Sequence, residues 1–293
     1  MGMRRLEIIR AGVRTTVQDL GRVGLAHLGV SRAGALDAAA LRLANRLVGN
    51  PEGAAGLEIT LGGSALRPAT AVTIAVTGAP GPILVDGRPA GHAIAVAVPA
   101  GAIVSVGRLS AGLRAYLAVD GGIAVAPVLG SRATDTLSGL GPPPVRDDDV
   151  LPIGATFRVP PGVDISPYSP PPRELDLRVW LGPRADWFTE AALRTFATAG
   201  YRVSTLTDRV GARLAGPPLH RAITVELPSE GVVLGAVQVP ANGQPLIFLA
   251  DHPTTGGYPV IAVVDPADID AVAQARPGTR VRFITRNRAV LAR

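Results

Sequence analysis

Neither cysteine nor lysine occurs in the 293-residue sequence. Without cysteine there can be no disulfide, no thiolate metal ligand and no thiol nucleophile. Without lysine there is no Walker A phosphate loop, no Schiff-base amine and no attachment point for biotin or pyridoxal phosphate. Aromatic residues make up only 4%, too few for a base-stacking surface. The net charge of +6 comes from arginines scattered along the chain rather than from a basic run, so nucleic-acid binding is not expected. Long apolar runs are also missing. Ala93–Val98 is far too short to cross a bilayer, and Met1–Arg10 lacks the apolar centre of a signal peptide. A cytoplasmic location is the expectation. The four histidines, His27, His92, His220 and His252, show no ligand spacing, and no metal site is expected.

Glycine and proline, by contrast, are abundant, at 35 and 27 residues, and are spread over the whole chain. That distribution reads as many short strands joined by turns. The length favours two domains, 1–165 and 173–293, separated by the proline-rich stretch Pro160–Pro172. In the first half, strands are expected at Leu6–Ile9, Val72–Val76, Ile83–Val85, Ala93–Val98, Ile103–Val106 and Ala115–Val119, with Asp86-Gly87 as a hairpin signal. A helix is expected over Ala38–Val48, capped by Asp37 and ended by Gly49, with Leu41, Ala44 and Val48 on one face. In the second half, strands are expected at Leu175–Leu181, Ile223–Leu227, Val232–Val239, Leu246–Leu249, Val260–Val264 and Arg280–Ile284. Helices are expected at Ala185–Ala199 and Ala267–Ala275. Pro99–Val106 and Pro277–Phe283 are alike, each a turn feeding an alternating strand, a weak sign of internal duplication. The fold class is therefore mainly β, in barrels or sandwiches with a few short helices.

Four polar clusters interrupt the apolar pattern. Gln18, Asp19 and Arg22 sit between glycines and can offer an amide, a carboxylate and a guanidinium to one ligand. Ser31–Asp37 with Asn45 and Asn50 fits a helix cap and turn as well as a ligand loop. Tyr116–Ile123, ending in Asp120-Gly121-Gly122, precedes Ser131, Arg132 and Thr134. The richest cluster runs from Ser229 and Glu230 through Gln238 and Gln244 to Asp251-His252-Pro253-Thr254-Thr255-Gly256-Gly257-Tyr258-Pro259. Its hydroxyls and open backbone suit a carboxylate, phosphate or carbonyl oxygen. Glu230 is the base candidate there, and the glutamines are neutral partners. His252 beside proline reads more simply as a structural residue.

Taken in order, these segments resemble the family variously called allophanate hydrolase subunit 2, the C subunit of 5-oxoprolinase, KipA or biotin-dependent carboxyltransferase family protein. The resemblance runs through Gln18-Asp19-x-Gly-Arg22, Gly34–Asp37, Asn45, Asn50 and Leu57-Glu58. It continues at Gly121-Gly122, Leu129–Thr134, Asp208–Leu214, Ser229-Glu230 and Thr254–Pro259, covering nearly the whole chain. One departure lies before the strand that closes the first half, where the family's Gly-Asp reads Asp148-Asp149.

The resemblance implies two cyclophilin-like β-barrel domains. It implies a heteromeric complex with a KipI-like partner (allophanate hydrolase subunit 1, or the B subunit of 5-oxoprolinase) and a third 5-oxoprolinase subunit. That complex would use ATP to open the lactam of 5-oxoproline to L-glutamate. Glu230 and Asp19 would be its catalytic groups, and Gln18, Arg22, Gln238, Gln244, Thr254, Thr255, Gly256, Gly257 and Tyr258 its substrate-binding ones. The alternatives are a carboxyltransferase acting on a urea or amide with biotin supplied in trans, and a non-enzymatic module that binds the KipI-like partner.

Overall fold

The computed structural model describes residues 4–157 and 170–286, so most of the expected linker lies outside the described residues. The chain forms two compact units. One comprises Met1–Arg22 and Ala33–Pro171, and the other Val23–Arg32 and Pro172–Arg293.

The first unit contains strands β1 (Arg5–Arg10), β2 (Arg14–Gln18), β3 (Gly56–Thr60), β4 (Ser64–Pro68), β5 (Val72–Gly78), β6 (Ile83–Val85), β7 (Arg88–Ala90), β8 (Val96–Val98), β9 (Val104–Val106), β10 (Arg114–Val119) and β11 (Val150–Pro152), with helix α1 (Ala38–Leu47). They form two sheets, ordered β11-β1-β4-β9-β6-β7 and β2-β3-β10-β5-β8. Both sheets feed one apolar core, with Leu6, Leu66 and Val104 from the first and Leu57, Ile74 and Leu117 from the second. Strand β10 is buried throughout. Its side-chain alternation serves two interfaces: Ala115, Leu117 and Val119 join the inter-sheet core, while Tyr116 and Ala118 pack with α1 residues. Helix α1 forms as its signals require. Asp37 Oδ1 accepts from Ala40 N at 2.9 Å, Leu41 and Ala44 are fully buried, and Gly49 follows in the left-handed region at φ 71°. Asp86 and Gly87, at φ 46° and 75°, make the two-residue turn joining β6 to β7. The expected strand at Ala93–Val98 shortens to β8, because Ala93 takes a positive φ of 55° and turns the chain.

The second unit contains β12 (Glu174–Leu181), α2 (Glu190–Thr198), β13 (Gly200–Val203), β14 (Gly211–Ala215), β15 (Glu230–Gly231), β16 (Ala236–Gln238), β17 (Leu246–Phe248), β18 (Thr255–Gly256), β19 (Val260–Val264), α3 (Ile269–Ala273) and β20 (Arg280–Thr285). Seven of these strands close a barrel in the order β12-β19-β16-β17-β14-β13-β20, sealed by parallel pairing of β12 with β20. Phe196 of α2 stacks on Phe283 with ring centroids 4.3 Å apart, and Tyr201 tilts against the same ring. The mainly β fold is as expected; the barrel closes in the second unit, while the first is organised as two sheets.

Several local expectations change. The strand expected at Val232–Val239 shortens to β16, after Gly235 at φ 81°, and the helix expected at Ala267–Ala275 becomes a 3-10 turn followed by α3. The helix expected at Ala185–Ala199 divides into a short 3-10 turn and α2, because Phe188 is extended and Thr189 caps α2 through Ala192 N. Gly200 opens a strand rather than ending the helix. Ile223–Leu227 joins no strand; Ile223 N bonds back to Trp187 O, and Val225 is left 64% exposed. The turns beginning at Pro99 and Pro277 both feed strands, β9 and β20.

Candidate functional site

In the first unit, the end of β2 meets the segment 131–134. Asp19 is buried and fully engaged. Its Oδ1 accepts from Gly21 N at 2.8 Å and Ser131 Oγ at 2.6 Å, and its Oδ2 accepts from Arg132 N at 2.6 Å. Gln18 Nε2 donates to Thr134 O and to Thr16 Oγ1, both at 3.0 Å. Arg22 donates to Val128 O at 3.2 Å and Ala133 O at 2.7 Å. The three side chains expected to act together at Gln18–Arg22 do meet, and all three bond the 128–134 loop. Asp19, expected to be catalytic, holds a turn. Three enclosed atoms there, Gln18 Oε1, Arg22 Nη1 and Thr134 Oγ1, have no partner among the described residues.

Under the start of α1, Glu58 and Tyr116 stand opposite each other on β3 and β10. The Tyr116 hydroxyl donates to Glu58 Oε2 at 2.8 Å and accepts from Asp37 N at 2.8 Å. Glu58 also accepts from Leu36 N at 3.0 Å and faces Arg114 at 3.5 Å. Burial, followed by the nearby carboxylates, pushes the Tyr116 phenol well above its usual value. Asn45 and Asn50 bond each other at 3.0 Å, and Asn50 holds Gly121 N at 2.8 Å, so both are structural clamps.

In the second unit, most of the richest sequence cluster assembles at one end of β16. β15 pairs with β18, setting Glu230 opposite Gly256. Gln238 Nε2 donates to Tyr258 O at 2.8 Å. A Cβ on Gly256 would lie 2.5 Å from that nitrogen, so a side chain there would displace the Gln238 amide. Thr254 and Thr255 lie on the same segment, and Thr255 and Tyr258 are exposed. Glu230 is bonded to Arg184 through both carboxylate oxygens, and that hydrogen bonding, more than the charge alone, lowers its pKa. A carboxylate held in this way is a weaker base than a free one, so a base role for Glu230 requires its pairing with Arg184 to open. Gln244, expected to bind substrate, clamps a turn: it accepts from Gly216 N at 2.9 Å and donates to Gly216 O at 3.0 Å. Below the loop, Arg209 and Asp251 form a buried two-point ion pair at 2.9 and 3.0 Å. His252 Nδ1 lies 2.6 Å from Pro253 O, and burial lowers its pKa.

The sequence pattern did not single out Arg184 or Arg221. Arg221 Nη2 donates to Val239 O at 2.7 Å, and its guanidinium lies 5.6 Å from the Tyr258 ring centroid. Beside it opens a cavity of about 320 Å³ lined by Pro218, Leu219, Arg221, Thr224, Ala241 and Asn242, among others. The only sequence signal for it was an arginine just after Pro217-Pro218. Among the described residues no three His, Cys, Asp or Glu side chains are grouped to hold a metal, and no helix is long and apolar enough to cross a membrane.

Residues 28–285 match the family described as carboxyltransferase domain, subdomain A and B. The chain is 40% identical over 286 residues to the C subunit of 5-oxoprolinase from Escherichia coli (strain K12), covering 95% of this chain and 90% of that protein. It is 32% identical over 308 residues to urea amidolyase of Saccharomyces cerevisiae, covering 95% of this chain but 16% of that enzyme. Among solved structures, K. lactis urea amidolyase matches with a TM-score of 0.90 at 29% identity, over 99% of this chain and 19% of that one. The structure of TTHA0988 matches with a TM-score of 0.86 at 38% identity, over 96% of this chain and 56% of that one. A β barrel with a two-sheet companion unit, carrying the polar segments at Gln18–Arg22, Leu129–Thr134 and Thr254–Pro259, is therefore placed by sequence and by structure alike: the chain belongs to the carboxyltransferase-domain family, subdomains A and B, of which the 5-oxoprolinase C subunit is a relative.

Proposed function

We propose that this chain is the C-type subunit of an ATP-dependent 5-oxoprolinase, working in the cytoplasm with a KipI-like partner and a third subunit to open 5-oxoproline to L-glutamate. The match along nearly the full length of two bacterial C subunits carries this reading. The residues of this chain do not fit a nucleotide site of the Walker type, since lysine is absent. In this reading ATP is held by another subunit. The part played by this chain is positioning. The Thr254–Tyr258 segment, fixed by Gln238 and by the β15–β18 pairing, presents hydroxyls and a phenol to the substrate's oxygen atoms.

The test is glutamate release from 5-oxoproline by the purified, reassembled subunits, with and without ATP. Gly256→Ala forces the Gln238 amide out of place while leaving the barrel strands intact. It is expected to lower turnover about 10- to 100-fold with little change in thermal stability. Unchanged turnover would remove the segment from the site. A second reading is favoured by the likeness to urea amidolyases: carboxyl transfer to a urea or amide, with biotin supplied in trans. It requires a biotinylated protein and inhibition by avidin, whereas the first reading requires insensitivity to avidin. A tight complex with no turnover of either substrate class would leave a binding module.

A further inference from the structure

Resting on that reading and extending it, we infer that the cavity beside Arg221 is the pocket for the carboxylate of the lactam acid. Its volume of about 320 Å³ lies within the range of small-molecule sites. Its chemistry is divided as such a ligand needs. Pro218, Leu219 and Ala241 offer an apolar wall to ring methylenes, and Arg221, Thr224 and Asn242 offer polar groups. A guanidinium carries five N–H donors in a fork that matches a carboxylate. Among the described residues Arg221 has one acceptor, Val239 O, and its enclosed Nε has none. Among the described residues no carboxylate pairs with it, whereas the nearby Arg184 and Arg209 are each paired with one. The Tyr258 ring and the Val239 carbonyl fix where the guanidinium sits.

The apolar side of the cleft is held by its own turns. The side chain of Gln244 bonds Gly216 twice, and Leu219 N bonds Gly243 O at 2.9 Å. Gly243 has φ 73°, and a Cβ there would come within 2.9 Å of Pro218 Cβ, so only glycine lets the two turns approach. Asn242 Oδ1 is occupied by Gln244 N at 3.0 Å, which leaves its amide N–H groups as the donors for a ligand. A cleft with a cation, an amide and an apolar wall suits a small ring bearing one carboxylate.

Two probes separate the carboxylate from the ring: 5-oxoproline, and 2-pyrrolidinone, the same lactam without the acid group. Binding to the isolated full chain is followed by NMR shifts and titration calorimetry. 5-Oxoproline is expected to bind and to shift resonances of Arg221, Thr224 and Asn242, and 2-pyrrolidinone to bind about tenfold more weakly or not at all. Arg221→Gln is expected to lower 5-oxoproline affinity about tenfold or more. Asn242→Asp keeps the acceptor for Gln244 N, so the turn survives, but it places a negative charge at the pocket and is expected to weaken binding similarly. In the reassembled complex both variants are expected to raise KM for 5-oxoproline with kcat changed less than about threefold. If the wild-type complex turns over 5-oxoproline but neither variant changes KM or affinity, the pocket assignment is overturned and the functional reading stands. If the complex shows no turnover while 5-oxoproline still binds in an Arg221-dependent way, the pocket stands and the functional reading falls.

Discussion

Asp148 is a non-glycine residue held at a φ of 68°, in the left-handed region that favours glycine. Its neighbours leave no freedom to relax, since Asp148 N bonds Ile8 O at 2.7 Å and Ile8 N bonds Asp149 O at 2.8 Å. A residue with a side chain held there costs about 1 kcal/mol, somewhat less for Asp than for most. Asp148→Gly is therefore expected to raise stability by about 0.5–1 kcal/mol, read as a higher denaturant midpoint; a lower one would mean that the carboxylate has a role. His252 gives a second expectation at this scale. Burial is the main cause of its lowered pKa, and Arg32 adds to it, while Pro253 O and Asp251 act the other way. Because the folded ring resists protonation, the unfolded chain takes up the proton first as pH falls. The stability this site contributes is present above about pH 6.5 and is lost on acidification below it. His252→Gln removes that proton. Its urea midpoint is expected to fall less between pH 7.5 and 5.5 than that of the unaltered chain, and an equal fall would acquit His252.

Helix α1 shows how an element with ordinary local signals is tied to its sheet by groups that are far apart in sequence. Its capping residue Asp37 gives its backbone N–H to Tyr116, whose hydroxyl is in turn held by Glu58. Tyr116→Phe removes one oxygen and with it the hydrogen bonds to Asp37 N and Glu58, at an expected cost of about 1–3 kcal/mol. Hydrogen exchange would show the first turn of α1 opening sooner, whereas a purely global effect would speed all core amides equally. The elements that sequence pattern located well were those coded locally: α1 by its cap and terminal glycine, and the β6–β7 hairpin by Asp86-Gly87. What escaped it was settled at long range. Ile223–Leu227 alternates like a strand yet has no ladder to join, and barrel closure rests on β12 pairing with a strand over 100 residues later, at a separation of 106 for the Asp176–Arg282 contact. The candidate site divides in the same way. Gln238 and Thr254–Tyr258 stood out as polar residues among apolar strands. Nothing local revealed that Arg184, 46 residues from Glu230, holds that carboxylate, or that Asp19 serves three donors from its own turn and the 131–132 segment.

At the scale of the whole chain, two units with separate apolar cores need not lose structure together. The second contains a lever on one of them. Arg209 and Asp251 are 2% and 0% exposed at their side chains and meet at two points. Removing one member of such a buried pair strands the other charge, at an expected cost of about 3–5 kcal/mol. Both tryptophans, Trp180 and Trp187, lie in the second unit, so indole fluorescence reports on that unit alone. Far-ultraviolet circular dichroism sums the strands and helices of both. For Asp251→Ala, the fluorescence transition is expected to move to distinctly lower denaturant, while a large part of the dichroism signal persists to near its original midpoint. The chain would then hold an unfolded barrel attached to an intact two-sheet unit. Coincident transitions, shifted equally in both signals, would instead show that the units fold as one cooperative body, and that the ion pair stabilises the molecule as a whole.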